Sequence, residues 1–134
     1  MENMENKENR LLTSELLEAL ASYPLYSQTD KSAPELVAVA LFRIGCIRWY
    51  VLEGNAEDNR FTFFSLVCGM ADGPELGYTD AEELASIAVD ASPYGLPGIL
   101  FQVEQVEDFR PCRLAGIDDE DVKKYVALFT PDER

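Results

Sequence analysis

Apolar and polar positions follow a strand-like pattern in the middle of the chain. Residues 46–53 and 60–70 are rich in β-branched and aromatic side chains, and the polar segment 54–59 between them is rich in turn formers. This pattern predicts a β-hairpin. The preceding run, residues 35–43, is apolar at both parities, which is typical of a strand covered on both faces. The short connections predict that these three strands form an antiparallel meander.

Helical periodicity occurs at three places. Thr13 or Ser14 can cap a first helix with a leucine stripe, which Pro24 prevents from continuing far. A capping box formed by Thr79 and Glu82 predicts a short second helix. Asp118 can cap a last helix, in which residues 122–129 place apolar side chains at helical spacing.

One further segment, residues 99–106, alternates between apolar and polar side chains. We expect a half-buried strand at the sheet edge there, with Ile99, Phe101 and Val103 facing inward. The element order is then α-β-β-β-α-β-α. The predicted fold class is α+β, with a four-stranded, mostly antiparallel sheet and three helices. Because the first strand has two apolar faces, either helices cover both faces of the sheet or a second copy of the chain covers one.

Domain organisation is simple. Residues 1–10 are polar and acidic with no apolar period, which predicts a disordered N-terminus. Residues 11–134 have the length of a single domain. The start of the chain lacks the basic and apolar stretches of a secretory signal, and no apolar run approaches the roughly 20 residues of a membrane span. These features predict a cytoplasmic protein that does not enter membranes.

Charge is strongly unbalanced, with 25 acidic against 11 basic residues and a net charge of −14. Phosphate backbones repel such a chain, so direct binding of nucleic acid is disfavoured. The acidity either serves solubility or favours a basic protein partner.

Several kinds of chemistry have no support in the sequence. The chain contains no histidine, which excludes serine–histidine and cysteine–histidine hydrolases and HExxH zinc proteases. Neither a GxGxxG nor a GxxxxGK[ST] motif occurs, and Cys46, Cys68 and Cys112 form no CxxC pair. Cys46 and Cys68 fall in predicted strands and are expected to be small buried residues. We therefore expect no enzymatic activity, no cofactor and no metal.

The first candidate site is the aromatic segment that contains Trp49, Tyr50 and Glu53. Strand alternation places Trp49 and Glu53 on one face with Val51, and Tyr50 on the other. Both aromatic residues fit a hydrophobic core. The alternative is an exposed patch of aromatic and acidic side chains that binds a partner.

The second candidate site is the segment that contains Asp72, Glu75, Gly77 and Tyr78. One interpretation is a turn shaped by the backbone freedom of Gly77. In the alternative, the 72–78 and 94–98 loops form the rim of a pocket. Its carboxylates would then bind a small ligand or act as acid and base.

The third candidate site consists of acidic clusters. Each cluster alone fits a solvated loop or the first turn of a helix. Together they are expected to form a row of negative charge that imitates duplex DNA. The clusters are Glu53, Glu57 and Asp58; Asp80, Glu82 and Glu83; and Asp118, Asp119, Glu120 and Asp121.

Five segments resemble the family called the domain of unknown function numbered 2958. They are PLY at 24–26, WYVLEG at 49–54, PELGY at 74–78, EEL at 82–84 and YGLP at 94–97. The resemblance covers most of the chain, and the N-terminal and C-terminal helices are additions to it. It implies a small protein carried on plasmids, conjugative elements or phage, in a family with no established activity.

These features favour a non-enzymatic, acidic interaction protein of a mobile genetic element. The specific expectation is a counter-defence inhibitor, of the anti-restriction or anti-CRISPR kind, that mimics nucleic acid. Its partner would be a basic host protein that handles nucleic acid, such as a nuclease. Two alternatives stay open: a small-ligand binder or carboxylate-based enzyme, and a structural module that forms a homodimer.

Overall fold

A computed structural model describes residues 9–129, so most of the disordered segment predicted at 1–10 lies outside the described residues. The α-helices are α1 (Ser14–Leu20), α2 (Ala81–Ser86) and α3 (Glu120–Phe129), and short 3₁₀ helices span Ala33–Glu35, Ser92–Tyr94 and Leu114–Gly116. The strands are β1 (Val37–Ala38), β2 (Ala40–Ile44), β3 (Ile47–Glu57), β4 (Arg60–Cys68), β5 (Glu75–Asp80), β6 (Ala88–Asp90), β7 (Leu100–Gln102), β8 (Glu104–Gln105) and β9 (Cys112–Arg113).

The main sheet has five strands in the order β5-β4-β3-β2-β8, and every neighbouring pair is antiparallel. The predicted α+β class, the three helices and the antiparallel sheet are confirmed for the described residues. The predicted count of four strands is wrong. Two further two-stranded sheets, β1-β9 and β6-β7, lie beside the main sheet.

The extra strand is β5, which the sequence interpretation placed in a turn. Glu75–Asp80 pairs along β4 from Val67 to Thr62. Gly77 lies within this pairing and is not among the residues with positive φ, so the proposed role of Gly77 in shaping a turn is wrong. The strand forms because β4 would otherwise leave its hydrogen-bonding edge open.

The single strand predicted at residues 99–106 is divided in two. β7 pairs with β6, and β8 pairs with the outer edge of β2, so the prediction of an edge strand is confirmed for β8. Val103 is fully buried between them, whereas Ile99 and Phe101 are exposed, which contradicts their predicted inward orientation. Phe101 lies in the separate β6-β7 ribbon and Ile99 just before it, and the chain joins the main sheet only at β8, so the main sheet does not cover either side chain.

The β3-β4 hairpin is longer than predicted. Its turn is only Asp58 and Asn59, with φ values of 51° and 67°. Two consecutive residues with positive φ form the turn whose twist matches antiparallel strands, and Asp and Asn tolerate that conformation well. The polar residues from Gly54 to Glu57 therefore continue β3 instead of forming a loop.

A β-bulge interrupts the pairing of β3 with β4. Val51 pairs with Ser65 and Glu53 pairs with Phe64, so Leu52 is an additional residue. Such an insertion reverses which face later residues occupy. Trp49 and Val51 belong to one core cluster and Leu52 to the other, and Glu53 follows Phe64 onto the Leu52 side. The predicted shared face of Trp49 and Glu53 is therefore wrong.

Helices cover both faces of the sheet, as one of the two alternatives predicted. Leu16 and Leu20 of α1 and Leu84 of α2 belong to one core cluster, and Val122 and Tyr125 of α3 belong to the other. Burial of these side chains, at about 25 cal/mol per Å² of apolar surface, holds the helices on the sheet.

One of the three predicted helix caps is confirmed, and the other two are each replaced by the next residue in the chain. Thr13 caps α1 by accepting a hydrogen bond from the Leu16 N–H, as predicted. The cap of α2 is Asp80 instead of Thr79, and it accepts from the Glu82 N–H. At α3, Asp119 instead of Asp118 accepts from the N–H two residues ahead.

Candidate functional site

Two exposed tyrosines form the centre of a surface near the β3-β4 turn. Tyr26 is 61% exposed and Tyr78 is 55% exposed, and their ring centroids are 6.5 Å apart. The ring of Tyr78 also contacts that of Phe64, at 4.7 Å between centroids. Large aromatic side chains are usually buried, so a pair of exposed tyrosines in contact is typical of a recognition surface.

The backbone at Tyr26 adopts a conformation that tyrosine normally avoids. Its φ is 74°, and a non-glycine residue in this region is strained by about 1 kcal/mol or more. The Tyr26 N–H donates to Glu53 Oε1 at 2.7 Å, and the Gln28 N–H donates to Glu53 Oε2 at 2.8 Å. Glu53 is only 3% exposed. A buried carboxylate thus holds the strained segment and sets the position of the Tyr26 ring.

A buried glutamine completes this support. The Gln28 amide nitrogen donates to the Leu52 carbonyl at 2.8 Å and to the Val37 carbonyl at 3.0 Å. Its amide oxygen accepts from the Val37 N–H at 2.7 Å. Gln28 therefore links the bulged residue of β3 to the start of β1 and satisfies backbone groups at the bulge.

The segment before Gln28 is also attached to β3. The Leu25 N–H donates to Asn55 Oδ1 at 2.6 Å, and the Gly54 N–H donates to the Tyr23 carbonyl at 3.0 Å. These bonds hold the connector between α1 and β1 against the body of the protein. The Tyr26 ring consequently has a rigid base on one side of the sheet.

Acidic side chains share this face. Cross-strand partners lie on the same face of a sheet, and alternate residues along a strand do too. The pairings Glu57–Arg60, Phe64–Tyr78 and Thr62–Asp80 place Glu57 and Asp80 on the Tyr78 side. We call Tyr26, Glu57, Tyr78 and Asp80 the tyrosine–acid face.

The charges on the tyrosine–acid face are only partly neutralised. Arg60 donates to Asp80 at 2.7 Å, and the Asp80 side chain is only 11% exposed, so Asp80 is paired within the molecule whereas Glu57 is not. Desolvation, together with the Tyr26 hydroxyl and the charges of Glu53 and Glu57, raises the pKa of Tyr78 above its ordinary value. The Tyr78 phenol is therefore a neutral hydrogen-bond donor at neutral pH.

The acids that precede α3 have a structural role instead. Arg48 holds Asp119 with two hydrogen bonds, Nε to Oδ2 at 2.7 Å and Nη2 to Oδ1 at 2.9 Å. The Tyr50 hydroxyl donates to Asp119 Oδ2 at 2.6 Å, and Asp121 Oδ2 accepts from the Gly69 N–H at 2.8 Å. This network fixes the start of α3 to the strands beneath it.

The pKa shifts of Asp119, Arg48 and Tyr50 agree with a structural role for this network. Burial alone would raise the pKa of Asp119, but the hydrogen bonds from Arg48 and Tyr50 outweigh it and lower the pKa. The same hydrogen bond with Asp119 raises the pKa of Arg48, and burial raises the pKa of Tyr50. Asp118 and Glu120 are exposed and lie 2.8 Å and 3.6 Å from Lys123 Nζ.

The predicted row of acids is therefore wrong as one continuous surface. Glu53 is buried, and Asp119 and Asp121 are used within the molecule by Arg48 and Gly69. Arg48 stands near the start of β3 and Glu57 at its end, which separates the two acidic groups by about 30 Å along the strand. Glu57, Asp58, Asp80, Glu82 and Glu83 stay together at the turn end.

The remaining candidate residues occupy other environments. Trp49 is 7% exposed and Tyr50 is 4% exposed, so the alternative of an exposed patch there is wrong and both belong to the core. Asp72 is exposed in the loop after β4, and Glu75 is exposed at the first position of β5. Cys68 is buried as predicted, whereas Cys46 is exposed in the β2-β3 turn.

The predicted pocket between the 72–78 and 94–98 loops is not formed. Tyr78 lies on β5, at one edge of the main sheet, because β5 pairs with β4. Tyr94 instead lines an apolar cavity of 490 Å³ together with residues 44–47, Val89 and Phe101. Tyr78 and Tyr94 therefore belong to separate surfaces.

Residues 9–129 contain neither a membrane-spanning helix nor a metal-binding cluster. No helix in that range is long and apolar enough to cross a bilayer. No group of three or more cysteine, aspartate or glutamate side chains in it is arranged to hold a metal ion.

Sequence reasoning missed Tyr26, Gln28 and Asn55 as parts of the site. The one sequence signal for these residues is the apolar and aromatic content of the connector after Pro24, which predicts that the connector contacts the body of the protein. Neither the positive φ of Tyr26 nor its distant partner Glu53 has a local sequence signature.

Comparisons with protein-family models, curated proteins and solved structures found no significant match of any of the three kinds. The resemblance to the domain of unknown function numbered 2958 stays a prediction.

Proposed function

We propose that this protein is a non-enzymatic interaction protein that binds a basic protein partner through the tyrosine–acid face. The observation that carries the proposal is the exposed Tyr26–Tyr78 pair, 6.5 Å apart and fixed from below by buried Glu53. Tyrosine supplies large contact area with few rotatable bonds, and its ring attracts guanidinium and ammonium groups. Exposed Glu57 supplies a carboxylate for the same cations.

Net charge supports a basic partner. At −14 the chain attracts cationic surfaces over distances of about a Debye length, which speeds encounter and makes binding sensitive to salt. The acids at the turn end, Glu57, Asp58, Glu82 and Glu83, are exposed. Glu57 shares the side of Tyr78, whereas α2, which carries Glu82 and Glu83, packs on the other face of the sheet. These acids would steer the partner, while the tyrosines would supply contact area.

A narrower form of the proposal is mimicry of nucleic acid by a cytoplasmic, mobile-element inhibitor of a host defence nuclease. Its support is the negative charge and the sequence resemblance described above. In this form the imitation is confined to the turn end of β3, where carboxylates stand for phosphates and tyrosine rings stand for bases. Duplex DNA would then compete with the protein for its partner.

Affinity capture from a bacterial lysate tests the proposal with two variants. Tyr26→Asn together with Tyr78→Thr removes both rings, because Asn tolerates positive φ and Thr suits a strand. Phe129→Ser removes an exposed aromatic ring elsewhere and is the matched control. We expect a basic protein that the original chain and the control bind at low salt and the double variant does not.

Three results would contradict the proposal. One is capture of the same proteins by all three chains. Another is a complex that survives high salt unchanged, since binding between opposite charges weakens with screening. The third is a captured partner with no basic surface. For mimicry, a partner that binds duplex DNA and this protein at the same time would exclude the narrower form.

A further inference from the structure

A second surface of the protein is apolar and uncharged. Residues 91–103 contain no charged side chain, although charged residues make up 27% of the chain. Most of this segment is exposed, and it includes the β7 strand and the loop after β6. Its exposed large apolar side chains are joined by that of Val89 in β6. The exposed fractions are Val89 40%, Tyr94 71%, Leu96 45%, Ile99 48%, Leu100 60% and Phe101 42%.

The same surface includes a groove. The β2-β3 turn, residues 44–47, faces Val89, Tyr94 and Phe101 across the 490 Å³ cavity. A second cleft of 270 Å³ separates Arg43–Gly45 from Leu100–Gln102. We call residues 44–47, 89 and 94–101 the apolar face. It combines a groove with a protruding loop, whose positive-φ glycines are Gly95 and Gly98.

The apolar face is uncovered within residues 9–129, where six of its large side chains are at least 40% exposed. Patches of this kind on soluble proteins generally mark an interface with another molecule. We therefore take its occupant to be another molecule.

Charge favours a second copy as the occupant. Two chains of charge −14 repel each other wherever acids meet, and the apolar face is where they approach without bringing acids into the contact. The rim of the apolar face carries charges of both signs. Arg43 and Glu104 border the 270 Å³ cleft, and Asp90 is the last residue of β6. Arg43 and Glu104 are exposed cross-strand neighbours, so the rim presents a positive and a negative group side by side to the matching pair of another copy.

Shape favours the same occupant. A two-fold contact must be self-complementary, with each copy supplying both the inserted part and the receiving part. The exposed Tyr94–Leu96 loop and the adjoining groove satisfy this requirement within one chain. We propose that two copies of the protein associate through the apolar face, with the loop of each copy in the groove of the other. Such a dimer presents two tyrosine–acid faces.

Sedimentation equilibrium of the full chain tests this proposal. We expect reversible dimers that reach twice the mass of the chain as concentration rises from micromolar to submillimolar. Leu100→Asp places a charge on the apolar face at an exposed site and should weaken association roughly tenfold or more. Leu128→Asp is the matched control, because Leu128 is 69% exposed on α3 and lies outside the face.

Salt gives an independent measurement. Screening reduces the repulsion between two acidic chains, so dimerisation should strengthen with salt, opposite to the proposed binding of a basic partner. A monomer at every concentration would overturn the proposal. So would dimers that persist in Leu100→Asp and are lost in Leu128→Asp, or dimers that salt dissociates. Each variant is first checked by circular dichroism, so that misfolding is not mistaken for dissociation.

Discussion

The two ends of strand β3 carry surfaces of opposite character. At its start, the β2-β3 turn contributes Ile44 and Ile47 to the apolar face. At its end, about 33 Å away, Glu57 leads into the acidic β3-β4 turn beside the two tyrosines. One continuous strand thus holds an uncharged surface and a charged one at a fixed separation.

The comparison shows that the number of acids does not locate a functional surface. Acids occur near both ends of β3, but Arg48 and Lys123 occupy Asp118 to Asp121 at the start. At the other end, Arg60 pairs with Asp80, whereas Glu57 and Asp58 form no ion pair within residues 9–129. What distinguishes the charged end is exposed aromatic surface on the same side as unpaired Glu57.

Gly69 should be the most sensitive position at the apolar end. Its φ is +91°, and a Cβ there would lie 2.1 Å from the Cys46 carbonyl oxygen in the β2-β3 turn. Gly69→Ala combines backbone strain with a clash and should lower the free energy of unfolding by about 3 kcal/mol. Urea denaturation measures the change.

Gly73→Ala is the matched control for that substitution. Gly73 has a similar φ of +93°, but a Cβ added there would have no neighbouring atom within 4 Å. We expect a loss of about 1 kcal/mol from backbone strain alone. Equal losses in the two variants would mean that the approach of Gly69 to Cys46 does not constrain the turn.

Glu53 should be the most sensitive position at the charged end. Glu53→Ala leaves the buried N–H of Gln28 and the part-buried N–H of Tyr26 without their acceptor, which should cost about 2 to 3 kcal/mol. Glu53→Gln keeps one acceptor oxygen and should cost less. Glu57→Ala, at an exposed site on the same strand, should stay within about 0.5 kcal/mol. A Glu53→Ala variant as stable as Glu57→Ala in urea would contradict the proposed anchor.

The Arg48–Asp119 network predicts how stability depends on pH. The pKa of Asp119 is lower in the folded protein than its usual value of about 3.9. Its contribution is therefore present above that usual value and is lost as pH falls through the lower, folded-state pKa. Asp119→Asn should cost about 2 kcal/mol at neutral pH and reduce the acid-dependent loss. Urea midpoints at neutral and acidic pH measure both effects; an unchanged acid loss would contradict this assignment.

Substitution of Ser65 should have a small effect on stability, and it should raise stability where the substitutions above lower it. Its hydroxyl is buried and has no hydrogen-bond partner among residues 9–129. Ser65→Ala removes that unsatisfied group from the pairing region shared by β3, β4 and β5, so stability should rise by about 0.5 to 1 kcal/mol. A loss of stability in thermal denaturation would show that the hydroxyl is satisfied.

Local sequence signals predicted much of the framework. Thr13 and the leucine stripe of α1 follow local rules, as do the strands around the β3-β4 turn, because neighbouring residues determine caps and alternation. The two-faced apolar pattern of residues 35–43 correctly indicated cover on both sides of the sheet.

The site depended on contacts between residues far apart in sequence. Asp119 meets Arg48 across 71 positions, and Glu53 meets Tyr26 across 27. No pattern of period two or 3.6 encodes such pairs. The bulge at Leu52 is equally invisible to alternation, and it reverses the inferred face of Glu53.

That bulge has an evolutionary consequence. Loss of the single codon for Leu52 would restore regular pairing of β3, because Leu52 is the additional residue beside the Glu53–Phe64 pair. Residues 53–57 would keep their partners on β4 and therefore their faces, whereas the buried Leu52 side chain and the carbonyl that accepts from Gln28 would be lost. A lineage could therefore drop this residue without moving its negative charge, and the cost would fall on the core and on the support beneath Tyr26.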